Sequence, residues 1–122
     1  MAAYLGPPRP LSTLLYEPPR ALQVQAYDPK EQLFGGVNVD GTGVAWWVDD
    51  EPAPLLYRSD RPPWSDPNLP DLSRRLRARV QLAAVRSASP GIPYGTNYVA
   101  PFVHGTLACA HNGWLGEFRR AT

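Results

Sequence analysis

Val80-Gln81-Leu82-Ala83-Ala84-Val85 is apolar at every position but Gln81, and it runs straight into Arg86-Ser87-Ala88-Ser89-Pro90-Gly91. An unalternating apolar run of this kind marks a strand covered on both faces. A second run, 106–110, delivers His111-Asn112-Gly113 in the same way. Two central strands that each end in a polar motif place a pocket at their ends, within an α+β layered domain.

Working outward, Thr42-Gly43-Val44-Ala45-Trp46-Trp47-Val48 is rich in strand formers, and 54–58 can pair with it as a hairpin across Asp49-Asp50-Glu51-Pro52, a solvated acidic turn. Trp46 and Trp47 should then pack one inward and one outward. Upstream, Gly35-Gly36, Gly41 and Gly43 bracket Asn38 and Asp40, so 33–43 is expected to be a loop whose backbone visits conformations that glycine accepts easily. Residues 2–5 form a short apolar strand closed by Gly6-Pro7-Pro8. Ser12 is expected to cap a one-turn helix over 13–16 that Pro18-Pro19 stop, with another turn or two over 20–27. The proline-rich stretch 60–70 should lead to a helix capped near Asp71 and running over 72–77, with Arg74, Arg75 and Arg77 on its wet side.

Composition narrows the function classes. Of 122 residues, 15 are Pro and 10 Gly, an excess that argues against a helical bundle or coiled coil, while 43% hydrophobic and 19% charged residues fit one folded domain. A net charge of +1 is too small to make nucleic acid or an acidic membrane the main partner. No apolar run reaches the length of a membrane helix and the N-terminus lacks signal-peptide character, so the expected location is the cytoplasm. The single cysteine, Cys109, and two histidines, His104 and His111, give no basis for a Cys-rich zinc site, and no metal or cofactor is expected.

The motifs themselves say more. Ala3-Tyr4-Leu5-Gly6, Asn38-Val39-Asp40-Gly41-Thr42-Gly43-Val44-Ala45-Trp46, Tyr57-Arg58-Ser59, Leu82-Ala83-Ala84-Val85-Arg86-Ser87-Ala88, Ala100-Pro101-Phe102 and Ala110-His111-Asn112-Gly113 follow one another along the chain. In order and spacing this set resembles the class II glutamine amidotransferases, and within them the ergothioneine-pathway branch that hydrolyses a γ-glutamyl amide. The resemblance implies an N-terminal-nucleophile hydrolase, an αββα sandwich of two antiparallel sheets, of which residues 1–122 would be the N-terminal part and therefore an incomplete sandwich. It also implies a small-molecule γ-glutamyl substrate.

In that family a cysteine freed by removal of the initiator methionine attacks the γ-carbonyl, with its own α-amine as base. Asn112 matches the residue whose side-chain amide holds the oxyanion, and Gly113 the one whose backbone N–H does so. Arg86 matches the arginine that grips the substrate α-carboxylate with a planar fork, and Ser89 a position that adds a hydroxyl to the same carboxylate. Each residue also has a plainer reading. Asn112-Gly113 alone is a β-turn, Arg86 alone a salt-bridge partner, and Asn38 and Asp40 are either turn formers or support for the pocket. His111 is expected to be structural, and Cys109 a buried, inert thiol.

The sequence departs from the family pattern at position 2, which is Ala. The nucleophile is therefore expected a few residues ahead of Met1, and the rest of the family domain, with the acidic residue for the substrate α-amine, beyond Thr122. The chain as given is expected to be inactive, either as part of a γ-glutamyl amidohydrolase or as a non-catalytic binding or scaffolding remnant of the same family. Strands lacking their implied neighbours would leave sheet edges open to self-association.

Overall fold

A computed structural model of the chain describes residues 1–17, 21–22, 40–86 and 95–111. Six strands and two helices are present among them: β1 (Ala2–Pro10), α1 (Ser12–Leu15), β2 (Gly41–Trp47), β3 (Leu55–Ser59), α2 (Leu69–Arg75), β4 (Arg77–Arg86), β5 (Phe102–His104) and β6 (Leu107–Cys109). Two single 3₁₀ turns, Pro63–Ser65 and Thr96–Tyr98, lie between them.

Four strands form one antiparallel sheet in the order β1-β4-β2-β3, while β5 and β6 make a separate two-stranded ribbon. The long apolar strand is central, as its sequence requires: β4 pairs with β1 through Ala2↔Ala83 and with β2 through Val44↔Ala83. Ala83 and Ala84 point to opposite faces and both are buried. One face carries the core, in which Val44, Trp46 and Ala83 pack against Leu11 and Leu15 of the α1 region, Leu22, and Leu69 of α2. The opposite face bears Gly41, Gly43 and Ala45 of β2 and is met by the segment 99–101.

Several expectations are corrected. The first strand does not end at Gly6 but continues to Pro10, with its register shifting between Leu5 and Arg9. Prolines are tolerated there because β1 is an edge strand and Pro7 and Pro8 fall within the irregular stretch, where no ladder hydrogen bond is lost. Ser12 is the first helical residue rather than a cap, and Leu11 at the N-cap makes no side-chain capping bond. Residues 23–30 lie outside the described part.

Gly41 and Gly43 sit within β2 rather than in a loop. Neither has a positive φ; the need for glycine is room. A Cβ on Gly41 would stand 2.5 Å from a Val99 methyl, and one on Gly43 would run into the Ala100 carbonyl, 2.8 Å from its carbon and 2.9 Å from Pro101 Cδ. The helix expected over 72–77 begins earlier, at Leu69, because Asp66 and not Asp71 holds its start: Asp66 Oδ1 accepts from the N–H groups of Asn68 and Leu69, both at 2.9 Å. Asp71 instead pairs with Arg74 at 2.7 Å on the surface, and Arg77 belongs to β4.

The second buried strand is also corrected. In place of 106–110 there is the short β6, paired with β5 through Val103↔Ala108, and both of its end residues are exposed. Leu107 is 71% exposed and Cys109 is exposed as well, so the expected inert buried thiol is a surface thiol. Among the described residues no further strand flanks the ribbon, which is why its apolar positions face outward.

Candidate functional site

Arg86 is the last residue of β4 and pairs across the sheet with Gly41, the first residue of β2. Partners in a ladder share a face, so Arg86 projects on the side where Gly41 and Gly43 leave space. Its backbone is fixed by the Asp40 N–H, which donates to the Arg86 carbonyl at 2.7 Å.

The segment 95–101 occupies that space. Gly95 starts it at φ 124°, a conformation that suits glycine. A 3₁₀ turn follows, closed by Tyr98 N–H to the Gly95 carbonyl and Val99 N–H to the Thr96 carbonyl, both at 3.1 Å. Val99 is then fully buried against Gly41, and its carbonyl accepts from Arg58 Nη1 of β3 at 3.5 Å. The outcome is that the half-exposed Tyr98 ring lies over Arg86, its centroid 5.8 Å from the guanidinium carbon.

Of the other residues singled out from the sequence, Ser89, Asn112, Gly113 and Asn38 lie outside the described part. Asp40 adjoins Arg86 through its backbone. His111 is exposed beyond the end of β6. Trp46 is buried and Trp47 half-buried, an inward and an outward neighbour as expected. Among the described residues no group of three or more His, Cys, Asp or Glu is placed to hold a metal ion, and no helix is long and apolar enough to cross a membrane.

A second polar cluster supports the sheet from the core side. Asp66, only 4% exposed, accepts from the Tyr57 hydroxyl of β3 as well as from two backbone N–H groups, and Tyr16 donates to the Pro63 carbonyl at 2.8 Å nearby. Burial alone would raise the Asp66 carboxyl, yet the hydrogen bonds from Tyr57, Asn68 and Leu69 outweigh it and hold the group below the usual carboxylate range. Burial, then the bond to Asp66, pushes the Tyr57 phenol up to about 12. Burial likewise raises Tyr16, with the Asp66 charge adding to it. Sequence reading missed this cluster, although Asp66-Pro67-Asn68 is a helix-start signal; it missed Tyr98 because a ring over a guanidinium leaves no mark in spacing.

Three comparisons with known proteins bear on the chain as a whole. No family model matches the sequence. The chain is 43% identical over 111 residues to the gamma-glutamyl-hercynylcysteine sulfoxide hydrolase of Mycolicibacterium smegmatis, covering 91% of this chain and 48% of that protein. It is 39% identical over 110 residues to the protein of the same name from Mycobacterium tuberculosis, covering 90% and 46%. Among solved structures, a glutamine aminotransferase class-II domain protein from Silicibacter pomeroyi superposes with a TM-score of 0.59 at 27% identity, covering 96% of this chain and 37% of that one. Over about nine-tenths of its length the chain is thus similar to proteins of the class II glutamine amidotransferase kind, and its antiparallel sheets fit the N-terminal-nucleophile fold. It spans about half the length of the curated relatives it matches.

Proposed function

We propose that the chain is part of a hydrolase that cleaves the γ-glutamyl amide bond of a small molecule, with residues 1–122 as the N-terminal part of the catalytic domain. The observation that carries this reading is Arg86, set at the end of the central strand with a planar fork suited to an α-carboxylate. The similarity to relatives named gamma-glutamyl-hercynylcysteine sulfoxide hydrolase supports the γ-glutamyl group as the part recognised.

In this reading Arg86 and Ser89 bind the substrate carboxylate, and Asn112 and Gly113 donate to the oxyanion. The nucleophile is an N-terminal cysteine, a residue that the Met1-Ala2-Ala3 stretch does not contain. Its α-amine takes the thiol proton as sulfur bonds to the γ-carbonyl carbon, and the departing amine leaves with that proton; water then cleaves the thioester, restoring the thiol and releasing a γ-carboxylate. No metal or cofactor takes part, neither nucleic acid nor membrane is a partner, and the cytoplasm is the site of action. Association between copies involves the open sheet edges and the exposed β5–β6 ribbon.

A second reading is a non-catalytic γ-glutamyl-binding protein that keeps Arg86 at the end of the central strand. Hydrolysis of a γ-glutamyl amide separates the two. A protein extended through any in-frame upstream Met-Cys-Arg and through the downstream frame should turn over, while the 122-residue chain should not. Thiol-sensitive turnover by the 122-residue chain that is lost in Cys109→Ser would overturn the assignment of the nucleophile.

A further inference from the structure

We propose that Tyr98 is a positioning residue for Arg86: its ring holds the guanidinium in the orientation that receives the substrate α-carboxylate, and so sets selectivity for ligands that carry that group. The inference rests on the reading of Arg86 as the carboxylate-binding residue.

Three features support it. The ring centroid lies 5.8 Å from the Arg86 guanidinium carbon, inside the range in which a cation is drawn to an aromatic face. The ring is also carried on a fixed platform, because the Tyr98 N–H is bonded to Gly95 and the next residue, Val99, is buried against Gly41 and bonded through its carbonyl to Arg58. Finally, Tyr98 is 48% exposed and the Arg86 backbone is tied to Asp40, so the contact adds little to the core while it limits where the end of a long side chain can go. An arginine fork binds a carboxylate through two parallel N–H donors, and that geometry fails when the plane of the guanidinium is free to turn. A ring over one face of the guanidinium restricts that freedom.

The test uses the 122-residue chain and the variants Tyr98→Leu, Tyr98→Phe and Arg86→Ala. The readouts are the Arg86 Nε–Hε signal by NMR and binding of L-glutamine against 4-aminobutanamide, which is the same molecule without its carboxylate. The expected result is a ring-current shift of the Arg86 signal in the parent and in Tyr98→Phe that disappears in Tyr98→Leu. Glutamine binding should weaken by about three- to tenfold in Tyr98→Leu, be unchanged in Tyr98→Phe, and be lost in Arg86→Ala. Binding of 4-aminobutanamide should stay the same in all of them, whereas a merely structural role would weaken both ligands together. If Arg86→Ala loses glutamine but Tyr98→Leu binds it normally, the positioning role is overturned and the carboxylate reading stands. If Arg86→Ala binds glutamine as the parent does, or the parent does not bind it, the carboxylate reading fails and the positioning role with it.

Discussion

The side-chain amide of Gln81 donates to the backbone carbonyl of Arg9 at 2.7 Å and to that of Ala78 at 3.1 Å, bridging the place where the β1–β4 ladder shifts register. Gln81 is 1% exposed, the one polar residue in the apolar run 80–85, and its position is explained by this bridge. A buried amide is expensive unless it satisfies groups that would otherwise be orphaned. Pro7 and Pro8 offer no N–H in that stretch, so the amide supplies donors that the strand lacks. Gln81→Leu should therefore destabilise the chain by about 1–3 kcal/mol in denaturant unfolding, despite being more hydrophobic. Amide exchange should quicken first in residues 2–5, and an unchanged midpoint would refute the bridge.

Gly43→Ala places a methyl group against the Ala100 backbone, which has no flexible end to give way. Overpacking of this kind costs about 1–3 kcal/mol, and the expected damage exceeds that of Gly41→Ala, where the obstacle is the Val99 side chain. Thermal unfolding of the two variants side by side checks the order. The Gly43 variant should also disturb the NMR signals of Tyr98 and Arg86.

The Asp66 cluster predicts a particular pH dependence. Because the Asp66 carboxyl titrates lower in the folded chain than in the unfolded one, its contribution is present above the unfolded value of about 3.9 and is lost as pH falls through the folded one. Tyr57 has the opposite sign: raised to about 12, it contributes below its unfolded value of about 10 and loses that contribution as pH rises. Stability measured by urea unfolding should thus fall at both extremes. Asp66→Ala should flatten the acid limb and Tyr57→Phe the alkaline limb, and an unaltered profile in either variant would refute the corresponding assignment.

Under the proposed function, Asn112→Ala in a protein extended upstream and downstream of residues 1–122 should lower kcat about a hundredfold with a smaller change in KM, since an oxyanion donor matters most once the charge has formed. Arg86→Lys should mainly raise KM, because an ammonium cannot reproduce a two-pronged contact. Steady-state kinetics with a γ-glutamyl amide decides both.

Cys109 should react with a thiol reagent in the native chain as fast as in a denatured one, since it is exposed on β6. Protection that disappears on unfolding would contradict the placement of the ribbon.

What the sequence disclosed followed from pattern. The apolar run 80–85, polar only at Gln81, became the central strand, and Thr42-Gly43-Val44-Ala45-Trp46 with its acidic turn became the β2–β3 hairpin, because period and turn chemistry act locally. What it concealed depended on neighbours. Pro7 and Pro8 end a strand by local rules, yet an edge position removes the objection. Gly41 and Gly43 resemble loop residues until the crossing segment is seen. The apolar residues 107–109 resemble a core strand, but burial depends on what packs beside them. Arg86 was legible as an end-of-strand cation, whereas Tyr98 reaches it from ten residues or more along the chain, a distance at which spacing carries no signal.

The bare backbone at Gly43 also has a genetic consequence. Every single-nucleotide missense change in a glycine codon introduces a side chain, and at this position every side chain begins with a carbon that collides with Ala100. One base change could therefore displace the segment that carries Tyr98 while each ligand-facing residue remains in the gene. A survey of variants that scored only those ligand-facing residues would count such an allele as intact.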